Sequence, residues 1–142
     1  MPPDQRHAEA AKWLASACGD LRGAEAILAS GDAPARLAAY LAQQVAEKAL
    51  KAGLFLLGEP VPRSHRLDRL RGMLPDHWVV HRAVADLVEL TAYSTAARYP
   101  DAEPSVDRSD ASEAIDLSRR VYEAITIDLA REGVDLERRR CE

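Results

Sequence analysis

Aromatic side chains are scarce in this sequence. They make up 5% of its residues, and Phe occurs once. A core that cannot lean on rings must be built from Leu, Ala, Val and Ile. That set, with few β-branched runs, favours helix. Cysteine is nearly absent too, present only as Cys18 and Cys141. Two thiols cannot complete a zinc site, and they do not read as a disulfide framework. Cys18 falls at a core-facing helical position, where a reduced thiol acts as a small hydrophobe. No apolar run approaches the ~20 residues of a membrane span. The opening MPPDQRHAEAAKW is polar and has no apolar signal core. A soluble cytoplasmic protein is expected, with no metal and no cofactor. An excess of charge of one sign is also lacking. The chain has 19 basic and 23 acidic residues, for a net charge of −4. That excludes a strongly basic nucleic-acid protein, while leaving room for local basic patches.

What is present is helical periodicity. The chain of 142 residues fits one domain, with its core at about residues 6–132 and a charged tail at 133–142. It is long enough to bury a sizeable core unaided. A first helix is expected over about residues 4–29, with Ala10, Leu14, Ala17, Leu21, Ala24 and Leu28 on one face. SGDAP at 30–34 reads as a stop and a start, with Gly31 past one helix and Pro34 before the next. A second helix is expected over 35–57. Its core face is Ala38, Leu41, Val45, Ala49, Ala52 and Leu56, with a polar stripe of Tyr40, Gln44, Glu47 and Lys51 opposite. Its second half is apolar nearly all round, because Leu50, Leu54, Phe55 and Leu57 fall outside the core face. A helix of that kind is buried on more than one side, and a symmetric dimer would bury it. A short helix over 65–74, capped by Ser64, follows the turn GEPVPRS. A fourth long stretch spans 81–99, with Val84, Leu87, Val88, Thr91 and Thr95 on one face, and Pro100 stops it. The last helix spans 110–132. Its stripe is Ala111, Ala114, Ile115, Ser118, Val121, Tyr122, Ile125 and Leu129. The sum is an all-α, up-and-down four-helix bundle with one extra short helix.

Four segments, in this order, carry a resemblance: WLASACGDLRGAEAIL, LAQQVAEKALKAGLFLLGEPVPRSHRLDRL, DLVELTAYSTAARYPD and a final amphipathic helix. The chain resembles the HEPN domain over about residues 6–132. The resemblance implies a helical bundle that dimerises. It further implies association with a nucleotide or RNA, as an accessory or toxin–antitoxin-type partner of a nucleotidyltransferase. Some HEPN proteins are metal-independent ribonucleases. These carry an Arg followed four to six residues later by His, near the end of the fourth long element. Here Arg98 opens that region, and no His follows it in the chain.

The ligand-binding candidates are Lys48 and Lys51 on the second helix, His65 at the start of the third, and Arg98 with Tyr99 at the end of the fourth. The lysines would donate to a phosphate. In the plainer reading, Glu47 and Lys51 form a surface ion pair contributing about 0.3–0.5 kcal/mol. Glu47 and Asp101 could also neutralise the cations internally. Arg71 and His77 match the ribonuclease spacing, but they bracket Pro75 outside the family's usual place and are weak catalytic candidates. His77 and His81, four apart beside Asp76, have ligand spacing but no third ligand signature. No Gly-rich phosphate loop and no nucleophile elbow is present. An RNA endonuclease and a dimeric scaffold without ligand are the rival functions.

Overall fold

The structure is a computed structural model that describes residues 1–96, 105–136 and Cys141, with positions 95 and 96 followed through the backbone only. Its elements are α1 (Pro3–Ser30), α2 (Ala35–Leu57), α3 (Leu67–Gly72), α4 (Val80–Ala83), α5 (Val88–Ala96) and α6 (Arg108–Arg131). No strand occurs among the described residues. α2 is the central rod, packed against α1, α6, α5 and α3.

Local chemistry sets the ends of the long helices. α1 stops where Gly31 turns left-handed, at φ 69°, and donates its amide to Ile27 O. α2 stops in the same way at Gly58, φ 72°. Only glycine enters that region without a Cβ penalty. The Arg6 Nε donates to Leu56 O at 3.1 Å, so the start of α1 holds the last turn of α2. α6 opens with a reciprocal cap. Asp107 Oδ1 accepts from the Asp110 amide, and Asp110 Oδ2 accepts from the Asp107 amide. The Arg108 guanidinium then donates to Leu28 O at 2.6 Å, which sets the start of α6 beside the end of α1. α1 is therefore antiparallel to both α2 and α6.

The core follows the expected stripes on α1 and α6. Ala10, Leu14, Ala17, Leu21 and Ala24 are buried, as are Ala111, Ala114, Ile115, Ser118, Val121, Ile125 and Leu129. α2 departs from its expected pattern. Leu50 and Leu54 are fully buried within the one chain. Phe55 stacks on Trp13, with ring centroids 5.1 Å apart. The apolar surplus of α2 is thus used inside the chain and does not require a second copy. Gly53 makes this close packing possible. A Cβ there would lie 2.9 Å from both Leu74 and Trp78. Trp78 is 2% exposed.

Two expected elements are corrected. The helix expected over 65–74 shortens to Leu67–Gly72. Ser64 accepts from the Arg66 amide in a turn and does not cap the helix. The long helix expected from 81 is two pieces, α4 and α5, broken where Val84 is extended. The reason is remote. Arg71 donates to the carbonyls of Val84 and Ala85, replacing the helical bonds lost at the break. The register of α5 shifts accordingly. Leu87, Leu90 and Ser94 face inward, while Val88 is 61% exposed. α4 is held from the other side by Asp128 of α6. Its buried carboxylate accepts from the amides of Val79 and Val80 at 2.8 and 3.1 Å.

The chain end is also corrected. Val134 is buried and Leu136 packs on the core, within what was expected to be a charged tail. Cys141 is paired with Cys18 of α1, at a Cα–Cα distance of 4.8 Å. That lies within the range a disulfide requires.

Candidate functional site

The polar residues of α2 do not form a solvated stripe. Gln43 is fully buried, Glu47 is 6% exposed and Lys51 is 9% exposed. The spacing 43, 47, 51 places them on one helical face, and α3, α5 and the preceding loop cover that face. The Leu67 amide donates to Thr91 Oγ1 at 3.1 Å, which fastens the end of that loop to α5. The same loop delivers His65.

Glu47 is the centre of the cluster. His65 Nδ1 lies 2.7 Å from its Oε1, Gln43 Nε2 donates to Oε1 at 3.1 Å, and Lys51 Nζ donates to Oε2 at 3.2 Å. Gln43 also reaches His65 O at 3.4 Å and accepts from Gln44 at 2.7 Å. Burial pushes the Glu47 carboxyl up. Hydrogen bonds from His65 and Gln43, with the charge and hydrogen bond of Lys51, more than offset that, so the group sits below its ordinary 4.5. An ionised carboxylate only accepts, so the proton between the two groups belongs to His65 Nδ1. The His65 ring is thus oriented from within, while its side chain is 50% exposed.

The two lysines part company. Lys51 belongs to the Glu47 cluster. Lys48 faces α1, where its Nζ lies 2.7 Å from Asp20 Oδ2 and donates to Ser16 Oγ at 2.9 Å. Both ammonium groups are neutralised by carboxylates of the chain itself. Among the described candidates, Lys51 and His65 are brought together, through Glu47. Arg98, Tyr99 and Asp101 lie outside the described residues.

The remaining candidates separate. The guanidinium of Arg71 is engaged by two backbone carbonyls, and His77 is exposed. His81 Nε2 lies 3.1 Å from Leu74 O, a contact that fixes the ring to the backbone rather than toward His77. No group of three metal-ligating side chains forms among the described residues. None of the described helices is long and apolar enough to cross a membrane.

Gln43 is the member of the cluster that sequence reasoning missed. Its signal was present, since it stands one turn before Glu47 as Lys51 stands one turn after. It was masked because 43 lies opposite the expected core face, beside the polar stripe, where a Gln reads as solvated.

The fold and this cluster can be set beside known proteins. The pattern of the HEPN domain family covers residues 10–129. The chain belongs to the HEPN domain family. Two solved structures resemble this HEPN domain. TT1696 from Thermus thermophilus is 32% identical, covering 84% of this chain and 97% of that one, with a TM-score of 0.70. ST0689, described as an archaeal HEPN homologue, is 25% identical, covering 85% and 98%, with a TM-score of 0.67. No curated protein matches the chain. All elements from α1 to α6 begin or end within the family's matched span, so the Glu47 cluster lies inside the HEPN domain proper.

Proposed function

We propose that this HEPN protein is a nucleotide- or RNA-associating module, acting in the cytoplasm as an accessory or toxin–antitoxin-type partner of a nucleotidyltransferase. The observation that supports the reading is the buried Glu47 cluster. Burying a carboxylate, an ammonium and an amide on one helix face costs more than filling that face with Leu. Within the fold it ties the loop before α3 to α2, through Gln43 and His65. What the cluster also provides is an oriented imidazole at the surface. Arg98, placed by the resemblance, would contact phosphate, and its neighbour Tyr99 would wall the site. Lys48 and Lys51 enter as the groups that neutralise Asp20 and Glu47. A homodimer belongs to the same reading and rests on the family resemblance.

The rival endonuclease reading is weakened, since Arg71 is engaged by carbonyls and Arg98 has no following His. Calorimetric titration with nucleotides and short single-stranded RNA tests the proposal. Binding is expected, weakened several-fold by His65→Ala and by Arg98→Ala, and falling as salt rises. Wild-type protein that gives no heat with any of these ligands leaves a scaffold without ligand.

A further inference from the structure

The charge pattern around Glu47 says which part of a ligand this face can recognise. A phosphate needs a spare cation or a row of free donors. Here Lys51 is committed to Glu47 and Lys48 to Asp20. Gln43 is buried, and its amide nitrogen is already shared between Glu47 and His65 O. The amide nitrogen of Gln44 donates to Gln43. His65 Nε2 lies on the ring edge opposite Nδ1, on a side chain that is 50% exposed. Its character is set from the inside. Glu47 holds the proton on Nδ1, so in the neutral ring Nε2 carries a lone pair and accepts. Glu47 and Lys51 balance each other's charge without the ring. The exposed end of the cluster is therefore an oriented imidazole nitrogen, an acceptor in the neutral ring.

We propose that His65 recognises a ribose 2′-hydroxyl, with Glu47 as the positioning residue that fixes its tautomer. The inference rests on the nucleotide- or RNA-binding reading above and narrows it to ribonucleotides. The 2′-hydroxyl is the donor that distinguishes RNA from DNA at a given site. Base N–H groups, amino and imino, are the other donors along a strand, and they are common to both nucleic acids. A site that reads those groups shows no preference between them.

The test titrates the full chain with a short single-stranded RNA of mixed sequence and with its DNA counterpart. RNA is expected to bind about three- to tenfold more tightly, the range of one net hydrogen bond. His65→Ala should bring RNA down to the DNA affinity and leave DNA unchanged. The residue is half-exposed, so this variant keeps the fold, which its melting profile checks. Glu47→Gln should reduce the preference, because an amide at position 47 no longer fixes the proton on Nδ1. Equal binding of RNA and DNA by the wild type overturns the inference and leaves the binding reading standing. A preference that survives His65→Ala also overturns it. Failure of both nucleic acids to bind removes the binding reading itself, and the inference with it.

Discussion

Gly53 stands at a close approach within the core. α2 is crossed there by Leu74 and Trp78, and both would meet an added Cβ at 2.9 Å. On an exposed helix, Gly→Ala gains about 1 kcal/mol. Here overpacking costs about 1–3 kcal/mol and wins. Gly53→Ala should therefore lower stability in chemical denaturation. An increase would show that the indole has room to move. Glu47 is a second such position. Its folded pKa is depressed below 4.5, so its stabilisation is complete above that value. It is lost as pH falls from 4.5 through the lower folded value. Acid titration of wild-type stability should show this loss, and Glu47→Gln should flatten it. The same substitution leaves Lys51 buried without its counter-charge, at a cost of roughly 3 kcal/mol at neutral pH. A variant as stable as the wild type at neutral pH, with an unchanged acid profile, would contradict the ion-pair account.

Elements were legible to the extent that their determinants are local. The bounds of α2 can be read from Pro34 and Gly58 alone, because a fixed φ and a left-handed φ act where they stand. The break between α4 and α5 cannot be read in this way. It depends on Arg71, thirteen residues before Val84, and on Asp128, near the end of another helix. Periodicity carries no trace of such contacts, so a continuous helix with Val88 inward was expected. The site divides along the same line. Glu47 and Lys51 are visible as an i, i+4 pair, but their burial follows from the return of α3 and α5 over α2. Asp128→Ala tests the tertiary determinant directly. It leaves the amides of Val79 and Val80 without acceptors and should cost about 2 kcal/mol. Hydrogen exchange at these two amides should accelerate more than at the centre of α2. Uniform acceleration would mean that α4 is held by its neighbours and not by this carboxylate.

For the molecule as a whole, the Cys18–Cys141 pair spans 123 residues of sequence and encloses α2 to α6 in one covalent ring. Closing a loop of that length restricts the unfolded chain by about 5 kcal/mol in the entropic model. Protein prepared without reductant should show no free thiol after denaturation. Reductant should lower wild-type stability by up to that amount and leave Cys141→Ser unaffected. Two free thiols in the unreduced protein would remove the ring. The ring also has a mechanical meaning. A pull applied between residue 1 and residue 141 would run along the first part of α1 and then across the sulfur–sulfur bond. Everything between Cys18 and Cys141 would stay out of the load path. Under tension such a molecule should give up the residues before Cys18, roughly 60 Å of contour, and then stop lengthening. The face of α2 that carries Glu47 would remain folded until the bond itself is cut.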